Sequence, residues 1–376
     1  MLRTIVEVHI IQTVPPSNMN RDDTGSPKTA MYGGRRRARV SSQAWKRATR
    51  NTFSDLLEPS ELGVRTKRVV ELLTERIVEQ DPTLGDRAEE LAKAVLTAAG
   101  IKLKKPRKEG PDESGYLLFL SDAQVSALAE LAVSAARASD GAVSIDKKDA
   151  KARADQRNSV DVALFGRMVA DDTDLNVDAA VQVAHALSVH EVSTEFDYYT
   201  AVDDHKRDDP EEDAGAGMIG TVEFNSSTMY RYATVDVDRL RDNLGDDEAT
   251  RRAVEAFVRA FVTSMPTGKQ NTFANRTLPD AVLLVVRKTQ PVNFVGAFEE
   301  AIPDRANGGR IGTAARRLVA YGRDVHETYD ERPVAAFSVA VGERGAALAE
   351  LGDRVSFDTA VGSIGDLVGR RLVGSA

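Results

Sequence analysis

Runs of β-branched and other apolar residues predict strands at the start, middle and end of the chain. Residues 2–13 contain such a run, and the prolines at 15 and 16 are predicted to end the strand. Further strands are predicted over 181–192, 220–224, 229–237, 280–287 and 334–341. The run DAVLLVVR at 280–287 has no polar alternation, so we expect this strand to be buried on both faces.

Helical spacing of apolar residues predicts helices between these strands. The predicted helices cover 41–57, 122–138, 247–264, 292–302 and 310–328, and a mixed-charge helical segment is predicted over 146–157. Ala, Leu, Glu, Lys and Arg dominate from 59 to 168, which indicates a mainly helical insertion. Without that insertion and one polar segment, the order is β-α-β-β-α-β, the ferredoxin-like order of RRM domains.

Composition restricts the classes of protein and site. The 376 residues include 42% hydrophobic and 29% charged residues, which is typical of a folded protein of one large or two smaller domains. The absence of cysteine excludes disulfides and thiolate metal sites. His185 and His190 are five residues apart with no third ligand nearby, so we interpret them as structural. No apolar run is long enough to span a membrane.

Positive charge is concentrated in residues 17–50, which hold nine basic and two acidic residues in a chain of net charge −8. Such separation is typical of a surface that faces a polyanion, although a solvated basic face is the alternative. Ser41 is predicted to cap a helix on which Lys46 and Arg50 share one face. Gly33 and Gly34 allow a sharp bend or a close approach to a ligand.

An aromatic cluster precedes the most polar part of the chain. Phe196, Tyr198 and Tyr199 lead into an acidic, glycine-rich stretch up to 217, and strand-like sequence resumes at 220. This pattern predicts a long projecting hairpin with a hydrophilic tip. An ordinary surface loop is the alternative.

Several motifs occur in the order found in one known family. They are HIIQTVPPSNMNRDD, PKTAMYGGRRRARVSSQAWKRATR, FGRM at 165–168, YTAVDD at 199–204 and MYRY at 229–232. The chain thereby resembles the backbone subunit of the type I-E CRISPR Cascade complex (the CasC family) over nearly its whole length. The resemblance is weakest over 59–157 and after 303.

This resemblance implies an α+β fold with a ferredoxin-like (RRM-like) palm, a helical fingers insertion and a β-hairpin thumb. The palm would comprise 1–57, 181–191 and 223–376, the fingers 58–180 and the thumb 192–222. Because the aromatic signature of an RRM sheet is absent, we expect loops and the hairpin to hold RNA, rather than the face of the sheet.

The resemblance also implies a cytoplasmic, non-catalytic subunit without a cofactor. It would polymerise along CRISPR guide RNA in an antiviral surveillance complex and present the guide for pairing with target DNA. The implied partners are further copies of the chain, a guide-processing endonuclease, a large subunit, small subunits and a subunit that caps the 5′ end of the guide.

The basic segment, the resemblance and a polar loop after 268 together define the candidate RNA-binding residues. They are Asn20, Arg21, Lys28, Arg35, Arg36, Arg37, Arg39, Ser41, Gln43, Lys46, Arg47, Arg50, Met168, Tyr198, Tyr199, Thr200, Lys269 and Gln270. Met168 would wedge against bases, and Tyr199 would stack beside a displaced nucleotide. Lys147, Lys148 and Lys151 could contact target DNA, although a solvated helix face is the alternative there.

A metal-dependent nuclease is the alternative function. Its candidate acids are Asp22, Asp23, Asp171, Asp172, Asp203 and Asp204. None of them lies in a His-containing metal motif, and Asp22 and Asp23 are predicted to orient the basic segment through ion pairs. The glycine pair at 33–34 lacks the GxxxxGK[ST] pattern of a nucleotide-binding P-loop.

Overall fold

The computed structural model describes residues 3–106, 110–138, 143–169, 175–201 and 218–374. It combines strands and helices, which confirms the predicted α+β class. The strands are β1 (Ile5–Ser17), β2 (Thr29–Tyr32), β3 (Arg35–Val40), β4 (Gly63–Thr66), β5 (Leu103–Lys104), β6 (Glu113–Ser114), β7 (Leu118–Ser121), β8 (Val181–Val183), β9 (Ala186–Ser188), β10 (Glu195–Ala201), β11 (Met218–Asp236), β12 (Ala281–Arg287), β13 (Ala335–Ala340) and β14 (Asp353–Arg354).

The α-helices lie between these strands and after the last of them. They are α1 (Ser42–Thr52), α2 (Val69–Gln80), α3 (Ala88–Ala98), α4 (Asp122–Arg137), α5 (Lys147–Asp155), α6 (Val160–Phe165), α7 (Val237–Leu244), α8 (Asp247–Thr263), α9 (Gln270–Phe273), α10 (Gly309–Thr328) and α11 (Phe357–Val373). Short 3-10 helices include Phe53–Asp55 and Phe294–Phe298. Within the described ranges, no helix has the length and apolarity needed to cross a bilayer.

One large sheet organises the chain, in the order β14-β13-β12-β1-β11-β9-β3-β2. The central strand β1 pairs antiparallel with β11 on one side and with β12 on the other. β8 and β10 also pair with β11, near opposite ends of that strand. Every residue of β12 is buried, as its continuous apolar sequence predicted.

Helices pack on both faces of the sheet. On one face, Val8 and Ile10 of β1 join a core with Trp45 of α1 and Phe257 of α8, and α11 completes this layer. On the other face, α10 and the 3-10 helix at 294–298 cover a second core that includes Ile11. This division follows from the alternation of side chains along a strand. The central part of the sheet therefore has no open face.

The helices α2, α3, α4 and α5 share a third core with neighbouring apolar residues. It joins apolar residues of α2, α3, α4 and α5, for example Leu73, Val95, Leu128 and Ala150. Ser121 begins α4 as part of a capping box with Gln124. The helices of this segment are thus stabilised mainly by one another.

Several elements differ from those predicted. β1 continues past residue 13 through Pro15 and Pro16 to Ser17, because a register shift after Val14 accommodates the prolines. The predicted strand over 181–192 is divided into β8 and β9. The predicted helix over 292–302 is only a 3-10 helix at 294–298. The C-terminal helix α11 was not predicted.

Candidate nucleic-acid interface

Within the basic segment, residues 29–40 fold as a β-hairpin, where the sequence predicted a loop. β2 and β3 pair from Thr29 opposite Ala38 to Tyr32 opposite Arg35. Gly33 and Gly34 have φ values of 57° and 70°, as a tight two-residue hairpin turn requires. A side chain on Gly33 would collide with the carbonyl of Glu299. Gly33 therefore serves the turn and its packing, rather than the approach of a ligand.

Arg37 is buried within the protein, which makes the prediction that it contacts RNA wrong for this structure. Its guanidinium donates hydrogen bonds to the carbonyls of Ser188, Phe298 and Glu299 at 2.9, 3.0 and 2.9 Å. Its side chain also lies over the Tyr32 ring. Burial lowers the pKa of Arg37 from its ordinary value. Arg37 thus fastens the hairpin to β9 and to the 3-10 helix at 294–298.

The other arginines of the hairpin are more accessible. Arg36 is exposed, and Arg35 is exposed beside Glu191 at 3.4 Å. Arg39 is half-buried, donates to the Thr29 carbonyl and lies 3.2 Å from the Nδ1 atom of His185. The hairpin therefore presents Arg36 to solvent, together with Arg35 in an exposed ion pair, whereas Arg39 is partly held by the protein.

The predicted cap of α1 is confirmed. The Ser41 hydroxyl accepts a hydrogen bond from the Ala44 N–H, and the Ser41 N–H donates to Oδ1 of Asn20 at 2.9 Å. The Lys28 N–H in turn donates to the carbonyl of Asn20. The start of α1, the end of β1 and the root of the hairpin are thereby held together. Lys28 is half-buried, and Arg21 is exposed.

The polar residues of α1 have different environments. Gln43 and Arg47 are exposed, and Lys46 is half-buried, with its pKa lowered by that burial. Arg50 donates to Asp161 at 2.9 Å and to the Gly63 carbonyl at 3.1 Å. Arg50 is therefore bound to α6 and β4, although it shares a helix face with Lys46 as predicted.

The segment after α8 lies against the same end of the sheet. Lys269 has a φ of 48° and precedes the short helix α9, where the sequence predicted a polar loop. Gly268 packs so closely on the Met19 carbonyl that a side chain would not fit there. Lys269 and Gln270 are both half-buried. The packing of Gly268 on Met19 places Lys269 and Gln270 near Asn20 and the start of α1.

A projecting arm rises beside this site. β10 pairs with the outer part of β11, from Glu195 opposite Phe224 to Ala201 opposite Met218. Along β10, Tyr198 and Thr200 lie on one face and Tyr199 on the other. The Tyr199 ring covers Gly220 on the facing strand. The three predicted contact residues are all exposed, but they point to two sides of the arm.

Met168 has one of the most exposed apolar side chains described, with 84% of its surface accessible. It follows Gly166, which has a φ of 79°, and Arg167, which is buried. Arg167 donates to the Leu175 carbonyl at 2.7 Å and to the Phe119 carbonyl at 3.2 Å. The buried arginine fixes the backbone, so that Met168 is presented to solvent.

The three candidate lysines on α5 are not equivalent. Lys147 and Lys148 are exposed on the first turn of the helix, whereas Lys151 is half-buried and interacts with other groups of the protein. Ala150 and Ala154 bury the opposite side of α5 in the third core. Their part in DNA binding stays a prediction.

Among the candidate acids and histidines, Asp22 and His190 have structural contacts, and Asp23 is exposed beside Asp22. Asp22 accepts hydrogen bonds from Thr24 and Ser26 and thus closes a turn, so the expected ion pairing with the basic segment is not its role. These bonds lower its pKa, and the Thr24 hydroxyl contributes most. His190 lies between the Thr228 N–H and the Glu191 carbonyl.

Asp171, Asp172, Asp203 and Asp204 lie outside the described residues. Among the described residues, no group of three His, Asp or Glu side chains could hold a metal ion.

Two residues near the site were missed from the sequence. Met31 is 68% exposed opposite Arg36, a placement that depends on the unpredicted hairpin. Asn225 is buried on β11 with an unpaired side-chain nitrogen, and it lines a cavity of about 20 Å³ with Asn20, Lys28 and Arg39. The register of β11 places Asn225 there, and no local motif indicates it.

Comparison with known proteins gives a consistent result. Residues 6–363 match the model of the family described as CT1975-like protein. A solved chain from a "CRISPR RNA-guided surveillance complex, pre-nicking" is similar, with a TM-score of 0.84, 37% identity, and coverage of 97% of this chain and 99% of that chain.

A chain from a "CRISPR RNA-guided surveillance complex" has a TM-score of 0.74 and 32% identity, with coverage of 96% and 99%. No curated protein matches. The similarity to a Cascade backbone subunit is thereby confirmed, and the chain belongs to the CT1975-like protein family.

Proposed function

We propose that this chain is a guide-RNA-binding backbone subunit of a CRISPR surveillance complex, acts without catalysis and works in the cytoplasm. The observation that carries the proposal is the near-complete match, at 37% identity, to a chain of an RNA-guided surveillance complex. The interface supports it, because cationic and aromatic residues distant in sequence meet at one end of the sheet. Such a combination suits RNA held by its backbone and by stacking.

The palm of this proposal is ferredoxin-like. In support, the neighbours in the sheet are β12, β1, β11 and then β8 with β9. Counted by their order along the chain, these are the fourth, first, third and second strands, which is the spatial order 4-1-3-2 of that fold. The helices α1 and α8 lie on one face. Both faces of the central sheet are covered, so bases cannot stack there as they do on an RRM sheet. The RNA would instead pass over the basic hairpin and α1. The third core supports a separate fingers unit, and the β10–β11 arm supports a thumb.

Assembly along the guide follows from this arrangement. Phosphates would be met by Arg36, Arg47 and Lys46, contacts that carry no sequence information. Tyr198, Tyr199 and Met168 would contact bases at intervals, so that the bases between them pair with target DNA. Further copies of the chain and the remaining Cascade subunits would bind along the same RNA. The lysines of α5 would lie toward the target strand.

RNA binding by the purified chain provides the test. We expect nucleic acid to co-purify with the protein and to be destroyed by ribonuclease but not by deoxyribonuclease. With single-stranded RNA of several footprints' length, nuclease protection should repeat at a regular interval, and Tyr198→Ala should weaken that repeat. Stacking on one aromatic side chain is worth about 1–3 kcal/mol per base.

Tyr329, which follows α10 and is 72% exposed, supplies the matched control. Tyr329→Ala removes the same type of exposed ring away from the interface and should leave the repeat intact. A chain that binds no RNA would refute the proposed function. Metal-dependent cleavage of the RNA, abolished by EDTA, would refute its non-catalytic character.

A further inference from the structure

Arg231, at the third position of the MYRY motif, is a fully buried cation in the core below α1. It is 1% exposed, and its guanidinium lies 3.6 Å from the centre of the Trp45 ring and 4.6 Å from that of Phe261. It donates to Gln12 Oε1 at 2.6 Å and to the Phe261 carbonyl. These contacts join β11 to β1, α1 and α8 through a single side chain.

No anion compensates this charge among the described residues. Burial alone lowers the pKa of Arg231, to about 9, so the guanidinium remains charged at neutral pH. Its Nε atom and the Nε1 atom of Trp45 are buried without hydrogen-bond partners. Two other arginines of this sheet are fully buried: Arg287 pairs with Glu7, and Arg37 binds three carbonyls, although its Nε atom is also without a partner.

A buried charge of this kind is a poor source of stability. Replacement of buried ionic groups by apolar residues of similar volume is often neutral or stabilising. The flat guanidinium nevertheless fixes the geometry around it, because stacking and two directed hydrogen bonds restrict both Trp45 and β11. Such a group specifies one arrangement at the expense of stability.

Two of the elements that Arg231 joins, α1 and β11, are the ones on which the proposed interface depends. Trp45 lies in the first turn of α1, between Gln43 and Lys46. β11 continues from Arg231 past Asn225 into the arm that carries Gly220 opposite Tyr199. A rotation of α1 about its axis would move its cationic side chains relative to the arm.

We propose that Arg231 is a positioning residue for RNA binding, which sets the orientation of α1 relative to the thumb-bearing strand β11 by stacking on Trp45. This inference rests on the proposed function. Arg231 does not touch RNA, and its effect reaches the phosphates through Trp45 and the residues of α1. Loss of Arg231 should therefore change RNA binding while the core stays packed.

Arg231→Met tests this inference in the full-length chain, with binding of single-stranded RNA measured over a range of salt concentrations. We expect the variant to fold with a melting temperature close to that of the wild type, because removal of the uncompensated charge offsets the loss of the donor to Gln12 and to the Phe261 carbonyl. RNA affinity should fall roughly tenfold, and the slope of log affinity against log salt should decrease because phosphate contacts of α1 are lost. Arg231→Lys keeps the charge but not the planar stack, and it should not restore binding.

The outcomes separate the possible explanations. A folded Arg231→Met protein with wild-type affinity and slope would overturn the inference, as would full recovery in Arg231→Lys. If Arg231→Met does not fold, Trp45→Phe decides in the same assay: a folded variant with unchanged slope overturns the inference, and one with a reduced slope supports it. Failure of the wild type to bind RNA would refute the proposed function instead.

Discussion

Two neighbouring arginines of the basic hairpin should respond in opposite ways to the same substitution. Arg36 is exposed and Arg37 is fully buried, although the sequence RRRAR does not distinguish them. Arg37→Ala removes the donor for three carbonyls and leaves a space beneath the hairpin. Arg36→Ala removes only a solvated cation. We expect the first to reduce stability and the second to reduce RNA affinity.

The magnitude for Arg37→Ala follows from these contacts. Each buried polar group that loses its partner costs about 1–3 kcal/mol, and water that enters the space recovers part of this cost. A net loss of about 3–5 kcal/mol is therefore expected, close to that for breaking a buried ionic interaction. At about 2–4 °C per kcal/mol, the melting temperature should fall by roughly 6–20 °C.

Arg36→Ala should change stability by less than about 0.5 kcal/mol. If Arg36 contacts one phosphate, its loss should reduce the salt slope of single-stranded RNA binding by about 0.7. The two variants are compared with the wild type by thermal denaturation and by RNA binding over a range of salt concentrations. The reasoning is refuted if Arg37→Ala melts with the wild type, or if Arg36→Ala lowers the melting temperature as much as Arg37→Ala does.

Two further predictions concern buried ionisable groups. Burial lowers the pKa of His9, of His190 and of His326 in the folded protein. In the unfolded chain these imidazoles bind a proton near pH 6.5, so protonation favours unfolding. The stability of the fold should therefore decrease as the pH falls from about 7.5 to about 5.5. A melting temperature that is unchanged or higher at the lower pH would contradict this.

Asp161→Asn should cost about 1–3 kcal/mol in urea denaturation, because Asp161 is buried and accepts hydrogen bonds from Arg50 and the Gly63 N–H. Asp178→Asn is the control, because Asp178 forms an exposed ion pair with Arg239, and it should have little effect on stability. Equal losses of stability in the two variants would argue against a structural role specific to Asp161.

The sequence predicted the elements whose signals are local. The apolar run at 281–287 is short and rich in valine, which favours a buried strand, and Ser41 has the side chain and the position of a helix cap. The basic hairpin was missed because its strands contain arginines in place of alternating apolar residues. Its pairing depends on the burial of Arg37 under residues 298 and 299, which are distant in sequence.

The candidate site was predicted in part for the same reason. Exposed residues such as Arg36, Gln43 and Tyr198 are accessible, as their predicted contacts with RNA require, but the sequence could not show that Arg37 and Arg50 already have partners within the protein. α11 was missed because several glycines lower its helix propensity. One of them, Gly365, packs directly against the end of the Glu255 side chain, which would have to move to admit a larger residue.

β11 spans 19 residues, and one continuous backbone carries both the centre of the sheet and the outer arm. At about 3.3 Å per residue it is roughly 60 Å long. Its inner part is held in register by β1 from Ser227 to Asp236, so an inserted or deleted residue near 225 would turn every side chain of the arm to the opposite side. Changes by two residues would preserve the sides and alter only the reach. Variation in the length of this arm should therefore be tolerated in steps of two.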